Sequence, residues 1–181
     1  MAHRNSWIIF VAFLYGAAWC ADTAVKTDTG NTANVFTTVK EGKFVFSYKT
    51  EGNNLVAEVS YPTMGWVAVG FNPVKMMKGA NFIIGALVDG KTVISDEFGV
   101  TPYSHKPDTA LGGKYSIVRG ACTSKDGILT MAFTIPLNSG DDKDVVLEKG
   151  KAIRVIFASG KKNDIRSMHS SLGKTDITLK N

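Results

Sequence analysis

Hydrophobic positions in this chain alternate with polar ones at a period of two, and no window shows sustained apolar recurrence at helical spacing. In 55–61 (LVAEVSY), Leu55, Ala57, Val59 and Tyr61 fall on one face of an extended strand, and Val56, Glu58 and Ser60 on the other. Two further runs, 65–71 (GWVAVGF) and 81–88 (NFIIGALV), are apolar or small nearly throughout, which is the pattern of a buried strand. Asn72-Pro73 ends the first of them. The loop that follows carries Met76 and Met77 between Lys75 and Lys78. Two thioethers on a Lys-bearing loop either fold back onto the core or face a pocket.

Turn chemistry separates the remaining runs. Glu51-Gly52-Asn53-Asn54 joins 43–49 to 55–61, and Asp89-Gly90 joins 81–88 to 91–98 in a sequence that favours a type I′ turn. Lys125-Asp126-Gly127 joins 114–122 to 128–135, and Lys149-Gly150 joins 145–148 to 152–158. A last short strand is predicted at 175–179, and the single helical candidate is one turn near 74–78. The pattern predicts an all-β fold, an antiparallel immunoglobulin-like β-sandwich of about ten short strands forming one domain over 35–181. Two long irregular stretches, 99–113 and 159–174, are the places on such a scaffold where sites tend to lie.

The N-terminus has a different pattern. His3 and Arg4 precede the uncharged run 7–18 (WIIFVAFLYGAA), small residues follow, and then a polar, Thr-rich stretch. This reads as a signal peptide over 1–21 and a polar linker over 22–34, and the apolar run is too short for a transmembrane helix. The expected destination is periplasmic or extracellular, with lipid anchoring at Cys20 as a minor alternative. No other stretch is long enough to cross a membrane as a helix, so the mature chain is expected to have no transmembrane segment.

Composition narrows the function classes. The 181 residues are 44% hydrophobic and 20% charged, with a net charge of +5 that falls to +4 when the leader takes Arg4 with it. The basic residues are scattered among acids, so no nucleic-acid footprint is expected. Cys122 is the only cysteine beyond the leader, which excludes a disulfide within the domain, and its expected role is a small buried hydrophobe. There is no C-x-x-C-H run for covalent haem attachment, no G-x-S-x-G elbow, no P-loop and no dinucleotide fingerprint. His105 and His169, the two histidines outside the leader, lie in the irregular stretches, and a lone loop histidine is most often a surface residue. Asp141, Asp142 and Asp144 read as a solvated turn, with a weak Ca²⁺ site as the alternative. No catalytic residue emerges, and an enzyme is not expected.

The order of motifs resembles the DOMON domain family: GWVAVGF, a methionine loop, Gly79-Ala80-Asn81, a buried strand, and much later a histidine in Met168-His169-Ser170-Ser171-Leu172-Gly173. The similarity runs from about Val35 to Leu179. It implies an exported β-sandwich of which many members are b-type cytochromes, with iron held between a methionine and a histidine. Met77 matches the methionine position and His169 the histidine position, with Gly173 as the glycine that follows. Met76 adjoins Met77 and could replace it by a slip of one residue. Asn81 stands where the family commonly has Asp, and Lys161 and Lys162 keep open the lysine-ligated variant. The resemblance therefore implies non-covalent haem b, electron transfer, and an unidentified redox partner in the cell envelope. Trp66, Phe71, Phe82 and Ile83 are candidate walls for the haem slot. The alternative it also allows is a non-haem module holding a sugar or other small ligand between the sheets.

Overall fold

The computed structural model describes residues 35–180; the expected signal peptide, the polar linker and Asn181 lie outside the described residues. One sheet contains β1 (Thr37–Glu41), β2 (Phe44–Glu51), β3 (Asn54–Pro62), β8 (Arg119–Lys125) and β9 (Ile128–Pro136) in the order β1-β2-β3-β9-β8. The other contains β4 (Trp66–Phe71), β5 (Asn81–Val88), β6 (Lys91–Thr101), β7 (Ser104–Pro107), β10 (Ala152–Gly160) and β11 (Ser171–Thr178) in the order β11-β10-β4-β5-β6-β7. Every pairing is antiparallel. The chain is the two-sheet sandwich that the alternation predicts, and among the described residues no helix is long and apolar enough to cross a membrane.

The hairpin turns take the conformations their residues demand. Asp89-Gly90 and Asp126-Gly127 both have positive φ at two consecutive positions, as a type I′ turn requires. Several boundaries differ from expectation. Segment 145–148 is not a strand: Leu147 is buried and its N–H donates to the Leu137 carbonyl at 2.8 Å, but no ladder continues from it. β8 begins at Arg119, later than predicted, and β11 begins at Ser171, earlier than predicted. β1 and β7 are edge strands with weak hydrophobic patterns. The candidate helical turn near 74–78 is a tight turn in which Lys75 and Lys78 bridge.

The main core lies between the sheets. Phe46 meets Phe71 at 6.4 Å and Phe157 at 5.6 Å between ring centroids, and Leu55, Val59, Met131 and Phe133 pack around them. Close packing reaches the backbone at Gly85, where an added Cβ would lie 2.5 Å from the Met131 sulfur and 2.8 Å from the Cys122 sulfur. Cys122 is buried and free, and burial pushes its thiol up to about 11, so it is an inert core residue.

β4 has no exposed residue: all six of its residues are buried. Val67, Val69 and Phe71 enter the core between the sheets, while Trp66 and Ala68 belong to a second apolar cluster with Phe82, Ile84 and Ala86. That second cluster lies on the outer face of the six-stranded sheet, as the period of two requires.

Truncating the centre of the main core should be costly. Phe46→Ala is expected to lose about 3–5 kcal/mol in urea denaturation, whereas Val146→Ala, on the exposed segment before β10, should change stability by less than about 0.5 kcal/mol.

Candidate functional site

The outer face of the six-stranded sheet forms the floor of a groove of about 850 Å³. Trp66 and Ala68 of β4, Phe82 and Ile84 of β5, and Ile156 and Ala158 of β10 line it. Its depth comes from small residues in the middle strands. Gly70 pairs with Phe82, and the Phe82 ring lies over it so closely that a Cβ on Gly70 would be 2.4 Å from the ring. Trp66 pairs with Gly160, and a Cβ there would meet the indole Nε1 at 2.1 Å. Two aromatic plates thus lie flat on glycines, leaving space above them.

One wall is the methionine loop, 72–80. Its backbone is pinned to β6: Gly79 N–H donates to the Gly99 carbonyl at 2.8 Å, and Gly99 N–H donates to the Ala80 carbonyl at 2.9 Å. Gly99 is the close-approach point, because a Cβ on it would lie 1.7 Å from the Met77 carbonyl oxygen. Met77 is half-buried and packs on the outer apolar cluster. Met76 is 55% exposed and has φ of +54°, a left-handed conformation unusual outside glycine. Both methionines line the groove.

The other wall is 161–170. Asp164 organises it by accepting from Arg166 N–H at 2.9 Å through its side chain and from Ser167 N–H at 2.9 Å through its carbonyl. Ile165 packs on the outer cluster, Trp66 Nε1–H donates to the Ser167 hydroxyl at 3.0 Å, and Ser170 N–H donates to the Ser159 carbonyl at 2.7 Å. His169 is held between the last two anchors, with its side chain exposed and lining the groove. The two walls rise from opposite ends of β4: the methionine loop follows Phe71, and His169 precedes the β11 residue that pairs with the Trp66 end of β10.

A polar group closes the side nearest β7. Glu97, on the outer face opposite Phe82, is fully buried. Its carboxylate accepts from His105 and, at 2.7 Å, from the Ser95 hydroxyl, and it pairs with Arg166 at 2.7 Å. Burial alone would raise this carboxyl, but the His105 and Ser95 hydrogen bonds and the charges of His105 and Arg166 outweigh it and hold Glu97 below the ordinary glutamate value. His105 also faces the groove, its ring 5.5 Å from that of Phe82.

The structure brings Met77 and His169 to one groove. Of the candidate wall residues, Trp66 and Phe82 line it, whereas Phe71 and Ile83 face the other way into the main core. The period of two separates them: even-numbered residues of β4 and β5 point out, and odd-numbered ones point in. Lys161 and Lys162 are exposed and do not line the groove. The space between the sheets, where the alternative reading puts a small ligand, is filled by the main core. His105 is a strand residue with a buried partner, not a free loop histidine. The sequence signal for its partner was the acid pair Asp96-Glu97 inside an otherwise strand-like run, which needed explaining.

This fold is a β-sandwich with a groove on the outer face of one sheet. The chain belongs to the DOMON domain family, whose family model matches residues 40–160. Among solved structures it is similar to the cytochrome domain of Myriococcum thermophilum cellobiose dehydrogenase, with a TM-score of 0.55 and 9% identity over 80% of this chain and 81% of that one. It is also similar to the cytochrome b domain of pyranose dehydrogenase from Coprinopsis cinerea, with a TM-score of 0.50 and 14% identity over 74% and 75% of the two chains. No curated protein matches the chain.

Two outcomes test this construction. Gly99→Ala should displace the methionine loop, costing about 1–3 kcal/mol in urea denaturation and shifting the Met77 methyl resonance. The Glu97 carboxyl titrates below its ordinary 4.5 in the folded chain, so its stabilisation is full above that pH and is lost as pH falls through the folded value. Glu97→Gln should therefore flatten the acid limb of a Tm-against-pH curve below 4.5; an unchanged limb would show that Glu97 does not carry it.

Proposed function

We propose that this domain binds haem b non-covalently in the outer groove, with Met77 and His169 as the axial ligands, and that it transfers single electrons without turning over a substrate. The observation that carries this reading is that two loops distant in sequence bring a thioether and an imidazole to the same apolar groove. The groove fits a flat apolar cofactor: its floor is aromatic and aliphatic, and its volume lies within the roughly 300–1,000 Å³ usual for cofactor sites. The two similar structures, a cytochrome domain and a cytochrome b domain, point the same way.

Bound haem would supply a one-electron ferric–ferrous couple. The chain's own residues do the rest. Met77 offers a soft, neutral sulfur that favours the reduced metal, and His169 offers a nitrogen, a pair that raises a reduction potential. Met77 is favoured over Met76 because it packs on the outer cluster while Met76 is more than half exposed. Trp66, Phe82 and Ile156 exclude water from the floor. Lys174 lines the groove as a cationic group able to meet a propionate, whereas Arg154, which also lines it, is paired with Asp176. On this reading the chain is exported through the leader at 1–21, and its partner is another redox protein in the envelope or outside the cell.

Protein expressed with haem available should be reddish and give a six-coordinate low-spin absorption spectrum in both oxidation states. Met77→Ala and His169→Ala should each abolish that spectrum, and Met76→Ala should leave it unchanged. Colourless protein, or wild-type spectra in both ligand variants, would sink the proposal.

A further inference from the structure

A second set of donors lies on the inner face of the same sheet. Asp96 of β6 pairs across from Ile83, which enters the main core, and is 3% exposed. Asp108 opens a 3-10 turn directly after β7 and is fully buried. Asp144 reaches them from the segment between β9 and β10. One carboxylate oxygen from each lies within 4.8 Å of the other two.

The hydrogen bonds leave most of this oxygen surface unused. Asp96 Oδ2 accepts from Ser116 N–H at 2.7 Å, and Asp144 Oδ1 accepts from Asn81 Nδ2–H at 2.7 Å. The other Asp96 oxygen, the other Asp144 oxygen and both Asp108 oxygens are buried without a hydrogen-bond partner. The same is true of Asn81 Oδ1, whose amide is fixed on Asp144 and whose residue is 3% exposed. Among the described residues no lysine, arginine or histidine forms an ion pair with any of the three carboxylates. Glu97, the neighbouring acid, has two such partners, so the contrast lies within one strand. Three carboxylates and an amide oxygen withdrawn from water without compensation are costly unless a cation gathers them.

We propose that Asp96, Asp108 and Asp144, with the side-chain oxygen of Asn81, form a Ca²⁺ site. The donor set is all oxygen, with no nitrogen or sulfur, which selects a hard cation over zinc or copper. An oxygen separation of up to 4.8 Å suits an ion that holds its ligands at about 2.4 Å, and is wide for Mg²⁺ at about 2.1 Å. The site takes Asp144 from the acidic turn visible in the sequence but not the other two acids of that turn. Asp141 is committed to the backbone N–H groups of Lys114 and Lys143, and Asp142 pairs with the Lys143 ammonium. A cation here would join four segments: the start of β5, the middle of β6, the turn after β7 and the loop before β10. Asn81 is also the first residue after the methionine loop, so the ion would brace the base of that wall. The site stands on these residues whether or not the groove holds haem.

The test uses the purified chain stripped with EDTA. Ca²⁺ titrated calorimetrically should bind one per chain and raise Tm by several degrees, with a weaker response to Mg²⁺. Tb³⁺ should report the same site by luminescence through Tyr115, next to Ser116 on Asp96, and Ca²⁺ should displace it. Asp108→Asn and Asp144→Asn should each weaken Ca²⁺ binding roughly tenfold or more while circular dichroism stays that of the sandwich. Absence of binding heat and of any Tm shift in millimolar Ca²⁺ would overturn the proposal. So would unchanged affinity in both variants, and an equal response to Mg²⁺ would overturn the calcium assignment.

Discussion

β4 is apolar on both faces, and the rest of the domain is arranged to keep water off each of them. A half-buried sheet leaves one face to solvent, but a strand that reads Trp-Val-Ala-Val-Gly-Phe has no polar face to leave. Its inner face is covered by the five-stranded sheet. Among the described residues its outer face has only loops to cover it, the methionine loop from one end and 161–170 from the other. Loops cover a sheet incompletely, and the strip between them is the groove. The site is thus what remains when a doubly apolar sheet is roofed from two sides.

Polar groups then decide how firmly each wall stands. Glu97 is a buried charge that the fold compensates, with His105 from β7 and Arg166 from 161–170 converging on one carboxylate. Removing water from an unpaired carboxylate costs several kcal/mol, so the two partners and the segments carrying them are held by what that burial would otherwise cost. The methionine wall is fixed differently, by backbone contact at Gly99, where only a residue without a Cβ admits the Met77 carbonyl. Asp96, one residue before Glu97 and on the opposite face, has the reverse electrostatics. Burial and the nearby acids push it up to about 6, and push Asp108 up to about 8. One strand therefore carries a compensated acid on the groove side and an uncompensated one on the core side.

The strand-level reading held where local chemistry is decisive. Asp89-Gly90 and Asp126-Gly127 make their turns whatever surrounds them, because both positions need positive φ. The alternation in 55–61 carried over intact, with Leu55, Ala57 and Val59 buried. It failed where pairing is nonlocal. Segment 145–148 has strand-like residues but joins neither sheet, and β7 is short and polar yet pairs beside β6.

The sequence by itself determined that the chain is an antiparallel sandwich and that Cys122 is a core residue, whereas Met77 and His169 were singled out through the family resemblance. The first two rest on period, composition and turn chemistry, which act over a few residues. Only the tertiary structure decided which face of β4 carries the groove, that Trp66 and Phe82 form its floor while Phe71 and Ile83 do not, and that Glu97 gathers His105 and Arg166. It alone brought Asp96, Asp108 and Asp144 together from three separate segments. These are contacts between residues tens of positions apart, set by strand register and close approach at glycines, and no local pattern encodes them.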